Sequence, residues 1–463
     1  MGTVFTAAEV HAALAPQRFE GSLQVGFRGV STDSRTVRPG DLFFALHGER
    51  FNGHDFVTQA LAGGAAGAVV SEARDYPCQA GQALFYVADT RQALGGLARW
   101  YRQRFAVPVV AVTGSCGKTT TKELIAHVLR TERTVLSSES SYNNEIGVPL
   151  TLFRLRPEHE IVVLEIAMRG RGQIAYLASL ARPQVGVLTN IGVTHFELLE
   201  SVAAIAEAKA ELLTALPPDG QAVLNVDDEQ VRSLADRSPA PVVWYGRSKG
   251  AEVRAEEVQT KGLAGSTFTL VTAAGTGRVH LHLPGGHQVS NALAAAAVGT
   301  VMGISLSNIC RGLEAARPLP LRLHSSRTAT GVLLINDAYN AAPASMRGAL
   351  EVLCDTPTEG RRIAILGDMR ELGTLSESAH LDLGRWAAGL GLDYLVTVGE
   401  LGRLIAAGAR EAGQPPETMV SFPDAPTALP FVQQLVRPGD TVLLKASRAL
   451  ALETIAEGLL SEQ

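Results

Sequence analysis

The stretch VPVVAVTGSCGKTTTKEL, residues 107–124, is the feature that most constrains the fold. A β-branched apolar run ends at Gly114, and a helical pattern begins directly after Gly117 and Lys118. Strand, glycine turn and helix start form the context in which backbone N–H groups and a helix dipole hold phosphate oxygens. The usual loop has its first glycine five residues before its second, but Val112 stands there. The sequence therefore predicts a shortened phosphate loop in an α/β domain.

Apolar runs alternate with helical patterns after this loop. The runs are EIVVLEIAM, QVGVLTNIG and QAVLNVDD, followed later by GVLLINDAYN, RRIAILGD, YLVTVG and DTVLLKAS. Continuous apolar strands separated by helices predict parallel sheets that are covered on both faces. The first hundred or so residues mix short strands and turns, and a proline-rich connector, RPLPLRLH, occupies residues 317–324.

The sequence thus predicts an α/β protein of three domains, split near residues 105 and 315. The predicted domains are a small mixed α/β N-terminal domain at 1–105, a central P-loop parallel-sheet domain at 106–315 that binds phosphate, and a Rossmann-like C-terminal domain at 316–463.

Composition excludes several classes of protein. The net charge of −5 over 463 residues, with no long run of one sign, gives no reason to expect nucleic acid as a partner. The four cysteines lie far apart, so neither a zinc site nor a disulfide framework is indicated. The N-terminus has no basic region before an apolar core, and Thr6 and Glu9 have capping-box spacing ahead of a short helix. We expect a cytoplasmic protein without membrane insertion.

Polar side chains near the ends of two predicted strands suggest metal ligands. Glu165 lies near the end of EIVVLEIAM, and His195 lies just past QVGVLTNIG. Ligands of an open parallel sheet gather at the carboxyl ends of its strands, and Thr119 can ligate Mg²⁺ beside a phosphate. Each residue alone would more often be structural, but the three together favour a functional site.

Lys209 falls on an unusual face of a predicted helix. In SVAAIAEAKAELLTAL, one apolar stripe consists of Val202, Ile205, Leu212, Leu213 and Leu216. Lys209 lies inside this stripe at 100° per residue. A lysine there costs free energy unless it snorkels or has a partner. From the residues alone, snorkelling is slightly favoured.

A series of segments in this chain resembles that of the Mur ligases, ATP-dependent amide-forming enzymes of bacterial cell-wall precursor synthesis. The segments are TGSCGKTTTKE, NNEIGVPLTL, EIAMRGRGQIAYLA, NIGVTHFE, EAKAELL, GGHQVSNALAAAA, LRLHSS, INDAYNAAPASM, ILGDMRELG and LLKASRAL. The shortened loop is typical of this family. The likeness is greatest to the member that adds D-alanyl-D-alanine to UDP-N-acetylmuramoyl-tripeptide, for which NNEIGVPLTL, DAYNAAPASM and GDMRELG followed by His380 are the most specific features.

The resemblance implies a catalytic set. Lys118 resembles the family's phosphate-gripping lysine and Thr119 its metal-binding hydroxyl, while Glu165 and His195 match metal-binding positions. Lys209 matches a lysine that the family carries as a carbamate, an anionic metal ligand, and this replaces the snorkelling interpretation. One Mg²⁺ is then expected on Thr119 and Glu165, and a second on His195 and carbamylated Lys209.

The resemblance also implies binding residues. Asn291 matches the adenine contact, Arg322 the residue that reaches the terminal phosphates, and Asp337 the ribose contact. The ATP-binding set is Gly114, Ser115, Cys116, Gly117, Lys118, Thr119, Thr120, Asn291, Arg322 and Asp337. The substrate-binding set is Ser34 and Arg35 for the UDP-linked precursor, together with Asn144 and Asn340.

Three residues depart from the family pattern. Gln288 replaces the asparagine of the GxHN segment, and its longer side chain can keep the amide. Ala338 and Ala342 stand where relatives commonly have serine and asparagine, which suggests tuning of the pocket for the second substrate.

The implied activity is that of an ATP-dependent acid–D-amino-acid ligase that acts through an acyl phosphate in peptidoglycan synthesis, and we expect a monomer. The alternatives are the diamino-acid-adding ligase one step earlier, whose DNPR segment is not found here, a folate-polyglutamating ligase, a P-loop ATPase switch, and a catalytically dead precursor-binding protein. Lysine, diaminopimelate and ornithine all remain alternatives for the third residue of the acceptor peptide.

Overall fold

The computed structural model describes residues 4–48, 50–139, 142–193 and 196–461. His195, a predicted metal ligand, lies outside the described residues. The chain forms two compact units, which are discontinuous in sequence. The first unit contains residues 1–111, 133–185 and 215–217, and the second contains residues 112–132, 186–214 and 218–463.

The first hundred residues contain short strands and three helices. The strands are β1 (Phe5–Thr6), β2 (Arg18–Gly21), β3 (Gly26–Phe27), β4 (Gly29–Ser31), β5 (Asp41–Phe44), β6 (Gly67–Val70) and β7 (Ala83–Tyr86). The helices are α1 (Ala7–Leu14), α2 (Val57–Ala62) and α3 (Thr90–Arg102).

Strands and helices alternate through the middle of the chain. The strands are β8 (Val109–Thr113), β9 (Val135–Ser137), β10 (Ile161–Glu165), β11 (Val185–Leu188), β12 (Gln221–Asn225), β13 (Val242–Gly246), β14 (Val253–Thr260), β15 (Ser266–Thr272) and β16 (Gly275–Leu281). The helices are α4 (Lys118–Leu129), α5 (Gly147–Leu152), α6 (Gln173–Ala181), α7 (Phe196–Leu199), α8 (Val202–Thr214), α9 (Glu229–Ser233), α10 (His287–Val301) and α11 (Leu306–Ala315).

The last third of the chain repeats the alternation. Its strands are β17 (His324–Arg327), β18 (Leu333–Asn336), β19 (Arg362–Gly367), β20 (Tyr394–Val398), β21 (Met419–Phe422) and β22 (Thr441–Lys445). Its helices are α12 (Pro343–Asp355), α13 (Ser376–Ala388), α14 (Gly402–Glu411), α15 (Ala425–Leu435) and α16 (Glu453–Ser461). The predicted α/β class is confirmed, while the domain boundaries near 105 and 315 stay predictions.

The first unit contains a sheet in the order β2-β7-β6-β5-β4. Its strands are parallel except β2, which runs antiparallel to β7. The predicted capping box before α1 is confirmed, because the Glu9 N–H donates to Thr6 Oγ1 at 3.3 Å and the Thr6 N–H donates to Glu9 Oε2 at 2.7 Å. In the same unit, β9 and β10 pair in parallel, so Glu165 ends a buried parallel strand as predicted.

In the second unit, the strands from β12 to β14 pair in parallel, whereas β14, β15 and β16 form an antiparallel meander. Our predictions name no strand in this meander. The sequence of β15, STFTLVT, alternates buried and half-buried positions, which is the period of two that a one-sided antiparallel sheet requires. A search for continuous apolar runs passes over such a strand.

The C-terminal sheet, also in the second unit, has the order β17-β18-β22-β19-β20-β21 and is parallel except for β17. Hydrophobic cores cover both of its faces, one of them lined by α12, α13 and α14 and the other by α15 and α16. The predicted apolar strands of this region are confirmed. Since β18, β22 and β19 are neighbours, the residues after their carboxyl ends meet at one edge.

Among the residues that the structure describes, no helix is both long enough and apolar enough to cross a bilayer.

Candidate active site

The phosphate loop of the second unit requires its two glycines. Gly114 has φ 146° and Gly117 has φ 80°, both in the region that disfavours side chains. A Cβ on Gly114 would lie 1.9 Å from Thr189 Oγ1, and a Cβ on Gly117 would lie 2.4 Å from Asn291 Oδ1. The loop is therefore packed tightly against neighbouring polar side chains, and any larger residue would displace them.

Thr189 and Asn190, which follow β11, hold the backbone of this loop. The N–H of Ser115 donates to Asn190 O at 2.9 Å, and the N–H of Cys116 donates to Asn190 Oδ1 at 2.8 Å. The carbonyl of Cys116 accepts from Thr189 Oγ1 at 2.7 Å and from Asn190 Nδ2 at 3.0 Å. The amides of Ser115 and Cys116 are thus engaged within the protein.

The start of α4 is the second element of this loop that can contact a phosphate. The N–H groups of Lys118 and Thr120 stand in the first turn, where a helix offers no acceptor of its own. Our sequence prediction included the loop but missed Thr189 and Asn190. Their signal was available, because TN directly follows an apolar strand at the edge where ligands gather.

Two lysines donate to the same carbonyl of the loop. Lys118 Nζ lies 2.9 Å from Gly114 O and 3.1 Å from Ser115 O. Lys209 Nζ, which projects from α8, lies 2.9 Å from Gly114 O. Lys209 is 2% exposed, which confirms its predicted place in the apolar stripe. Burial, and secondarily the nearby Lys118 ammonium, hold the pKa of Lys209 well below its ordinary value.

Arg322 contacts the phosphate loop from the proline-rich connector. Its Nη2 donates to Thr119 Oγ1 at 3.0 Å, and its guanidinium lies 4.1 Å from the ring centroid of Tyr339, a cation–π distance. Leu321 and Leu323 on either side have φ of 60° and 49°, strained values for leucine. The structure thus places Arg322 against the loop and adds Tyr339, which our sequence prediction missed. The contact of Arg322 with the terminal phosphates stays a prediction.

Asp337 and Asn340 follow β18 and share a cation. Asp337 Oδ1 accepts from the Leu323 N–H at 3.1 Å, and Asp337 Oδ2 accepts from Lys445 Nζ at 2.5 Å. Lys445 Nζ also donates to Asn340 O at 3.0 Å. Lys445 was not predicted as a site residue, although a lysine that ends the apolar run DTVLLK is unusual enough to be a signal.

Gln288, the departure from the family pattern, is buried beside Asn291. Gln288 Oε1 accepts from Asn291 Nδ2 at 2.8 Å, while Asn291 Oδ1 accepts from Thr121 Oγ1 at 3.2 Å. The longer side chain therefore keeps an amide next to Asn291. Gln288, Thr120 and Arg322 also line an open depression beside α4.

In the first unit, Glu165 and Asn144 are both engaged. Glu165 is 2% exposed, and its Oε1 accepts from Asn143 Nδ2 at 2.8 Å. Asn144 Oδ1 accepts from the N–H groups of Ile146 and Gly147 at the start of α5. Asn144 thus holds a helix start, and its role as a substrate contact stays a prediction.

Ser34 and Arg35 lie in the loop after β4, also in the first unit. Arg35 Nη2 lies 2.6 Å from Asp33 Oδ2, and the hydrogen bonds from Arg35 lower the pKa of Asp33 to about 2. Ser34 Oγ donates to Gln59 Oε1 at 3.3 Å. The Arg35 side chain is 82% exposed and can rearrange onto a ligand, so its contact with the UDP-linked precursor stays a prediction.

His47, His54 and Glu72 form a second group in this unit whose nitrogen and oxygen atoms lie within 4.8 Å of one another. His54 Nε2 accepts from the Ser71 N–H at 2.9 Å, so the proton of the neutral ring is on Nδ1, 2.8 Å from Asn52 Oδ1. Both nitrogens of His54 are thus used by the protein, and we interpret the group as a hydrogen-bond network.

Of the four side chains predicted to bind Mg²⁺, His195 offers an imidazole nitrogen, and the other three can offer the hard oxygen donors that this ion prefers on one condition. Thr119 provides a hydroxyl and Glu165 a carboxylate. Lys209 provides no ligand as an ammonium, which repels a cation, and only its carbamate would supply an anionic oxygen. The residue set fits Mg²⁺ when Lys209 is carbamylated.

Comparisons with known proteins identify relatives along most of this chain. Residues 26–102 match the model of the Mur ligase family catalytic domain, residues 112–299 the Mur ligase middle domain, and residues 321–448 the Mur ligase glutamate ligase domain. The UDP-N-acetylmuramoyl-tripeptide–D-alanyl-D-alanine ligase of Synechocystis sp. is 39% identical, over 95% of this chain and 94% of that protein.

Solved structures give the same result. MurF from Acinetobacter baumannii superposes with a TM-score of 0.90 at 34% identity and covers 99% of both chains. MurF ligase from Thermotoga maritima in complex with ADP has a TM-score of 0.81 at 29% identity and covers 94% of this chain and 97% of that chain. Identity and fold thus agree from the N-terminal sheet to the last helices, and this chain belongs to the Mur ligase family.

Proposed function

We infer that this protein is an ATP-dependent ligase that joins D-alanyl-D-alanine to UDP-N-acetylmuramoyl-tripeptide in peptidoglycan precursor synthesis. The observation that carries the inference is the convergence of Lys118 and Arg322 on the phosphate loop, in a chain that is 39% identical to such a ligase over 95% of its length. A cytoplasmic monomer that uses ATP with Mg²⁺ belongs to the same proposal.

The chemistry explains why a peptide ligase needs a phosphate loop. A carboxylate is a poor acylating agent, because oxide is a poor leaving group. Transfer of the γ-phosphoryl group of ATP to a carboxylate oxygen of the tripeptide gives an acyl phosphate and ADP. The amine of D-alanyl-D-alanine then attacks the carbonyl carbon, the bond to the phosphate oxygen breaks, and phosphate and a proton leave.

The cations of the second unit suit the first of these steps. Charge spreads over the oxygens of the transferring phosphoryl group, and fixed positive groups stabilise it. Lys118 is held by two loop carbonyls, and Arg322 is held by Thr119 and Tyr339, so both are oriented before the nucleotide binds. Mg²⁺, when bound, supplies further charge neutralisation at these oxygens.

The surroundings of Lys209 support the proposed carbamylation. CO₂ reacts only with a neutral amine, forming an N–C bond and releasing a proton. Burial favours the neutral amine of Lys209, and among the described residues no carboxylate pairs with it to favour the ammonium. We propose that carbamylated Lys209 and His195 hold one Mg²⁺, and that Thr119 and Glu165 hold the other.

The binding roles complete the proposal. Asn291 would contact adenine, with Gln288 holding its amide, and Asp337 would contact the ribose. Ser34 and Arg35 would bind the UDP portion, and Asn340 would contact the incoming dipeptide.

The deciding experiment is an assay of phosphate release with purified protein, ATP, Mg²⁺, UDP-N-acetylmuramoyl-tripeptide and D-alanyl-D-alanine, omitting one component at a time. We expect release only with all of them, and a pentapeptide product of matching mass. Lys118→Ala should abolish release while the far-ultraviolet circular dichroism spectrum stays unchanged. Release with ATP alone would identify an ATPase switch and contradict the ligase.

A further inference from the structure

Lys445 is a buried cation that the reaction described above does not use. It ends β22, its side chain is 3% exposed, and its ammonium contacts Asp337 Oδ2 and Asn340 O. The pairing of β22 with β18 explains this position. Asn336 is in register with Leu444, so Asp337 and Lys445 are the next residues of two adjacent parallel strands.

The carboxylate of Asp337 is held from two sides. Lys445 contacts one of its oxygens, and the Leu323 N–H donates to the other at 3.1 Å. The N–H of Asp337 donates to Leu444 O at 2.9 Å, which ties the same residue to β22 a second time. A half-buried carboxylate gains from such partners, and of the two that hold its oxygens Lys445 is the only one that neutralises its charge.

Asp337 is connected to the phosphate loop through the segment that contains Leu323 and Arg322. Leu323 follows Arg322, which donates to Thr119, and the N–H of Tyr339 donates to Leu321 O at 3.2 Å. The segments 321–323 and 337–340 are therefore bonded to each other, and Lys445 contacts the second of them through Asp337 and Asn340. A change at Lys445 is felt by both segments.

We propose that Lys445 is a positioning residue that couples the binding of two substrates. Through Asp337 it orients the contact for the nucleotide, and through the carbonyl of Asn340 it orients the contact for the incoming dipeptide. Lys445 itself touches neither substrate. The inference rests on the proposed ligase function and on the roles given there to Asp337 and Asn340.

The coupling has a kinetic signature. Loss of the ammonium should raise the KM for ATP and the KM for D-alanyl-D-alanine together, by about tenfold each, since one hydrogen-bonded charge fixes both contacts. The KM for UDP-N-acetylmuramoyl-tripeptide should change less than about twofold, because its predicted contacts Ser34 and Arg35 belong to the first unit. A merely structural lysine would lower the active fraction and leave all three KM values unchanged.

The test compares Lys445→Met, which keeps the length of the side chain without its charge, with Lys445→Arg, which restores a cation. We expect Lys445→Met to raise both KM values and Lys445→Arg to recover part of each. Lys261→Met, at an exposed lysine of the same unit, is the matched control and should leave every KM unchanged. If Lys445→Met does not fold by circular dichroism, Lys445→Gln, whose amide can still donate to Asp337, replaces it with the same expectation.

A folded variant with unchanged KM values, or with only one of the two raised, would overturn the coupling. Failure of the ligase assignment itself gives a different result, because wild-type protein would then release no phosphate in response to the dipeptide. The assay of wild-type protein is therefore run first.

Discussion

Two buried lysines of the second unit show how one residue type acquires opposite properties. Lys209 on α8 and Lys445 at the end of β22 are each 2% exposed. Lys209 donates to a neutral carbonyl, that of Gly114, and the cation of Lys118 donates to the same carbonyl. Lys445 instead forms an ion pair with Asp337 at 2.5 Å.

The two lysines are equally buried, so the difference between them lies in the charge of the group that each contacts. A buried ammonium without an anion loses hydration and gains little in return, so the neutral amine is favoured and becomes available as a nucleophile. A buried ammonium beside a carboxylate keeps its charge and orients that carboxylate. The first arrangement suits covalent modification, and the second suits positioning.

The largest expected effect is on catalysis at Lys209. Lys209→Ala should lower the rate of pentapeptide formation by about a thousandfold or more, because it removes a proposed ligand to Mg²⁺. Added bicarbonate should not restore activity, whereas a small carboxylic acid that enters the vacated space should restore part of it. Normal turnover of Lys209→Ala in the phosphate-release assay would contradict the carbamate role and the contrast between the two lysines.

A second expected effect is on stability, and it falls on the other lysine. Lys445→Met should lower the free energy of unfolding in urea by up to about 3 kcal/mol, because it leaves the half-buried Asp337 carboxylate without its cation. Lys209→Met should cost much less, since it strands no opposite charge.

The double variant Asp337→Asn, Lys445→Met separates charge from shape. It should recover most of the stability that Lys445→Met loses, because no uncompensated charge remains. Arg385→Gln, which breaks an exposed ion pair with Glu411, is the control and should leave the urea midpoint unchanged. Equal losses for the Lys209 and Lys445 variants would remove the distinction between them.

The smallest expected effect is a change in the free energy of unfolding with pH, measured in CO₂-free buffer. The unfolded chain keeps a proton on Lys209 up to the ordinary lysine pKa of about 10.4, whereas the folded protein loses it at lower pH. Between these two pKa values the unfolded state binds more protons, so the free energy of unfolding rises with pH by up to about 1.4 kcal/mol per unit.

Lys209→Met should lack this rise. The free energy of unfolding is measured by urea denaturation at each pH for both proteins, and the difference between them gives the contribution of Lys209. Below the folded pKa the contribution of Lys209 should be flat. Parallel stability profiles for the two proteins throughout the alkaline range would show that the amine of Lys209 is protonated when buried.

Much of the fold could be predicted from the sequence, because parallel strands buried on both faces leave continuous apolar runs. Examples are IVVLE in β10 and TVLLK in β22. The meander from β14 to β16 could not be found in this way, since β15 alternates buried and half-buried residues, among them the polar Thr269, and β14 and β16 contain several exposed residues. A motif that depends only on neighbouring residues, such as the Thr6–Glu9 capping box, could be predicted down to its hydrogen bonds.

For the site, the sequence predicted the residues proposed to act on the substrates, but it missed the residues that contact and orient them. Lys118 and Lys209 have a physical signature in the sequence, and Arg322 was predicted from the family resemblance. Tyr339 and Lys445 matter through contacts between different segments of the chain, such as Asp337 and Lys445, whose positions differ by 108. The order of the strands in the sheet brings such pairs together, and this order cannot be read from any single segment of the sequence.

The hydrogen bonds from Thr189 and Asn190 to the phosphate loop have a consequence for the thermodynamics of nucleotide binding. A loop that must be ordered by its ligand costs conformational entropy at the moment of association. Here the peptide groups of Ser115 and Cys116 are already fixed by neighbours within the same unit. The entropic cost of shaping the loop is therefore met when the chain folds, and the ordering entropy at this loop should contribute little to the free energy of binding ADP or ATP.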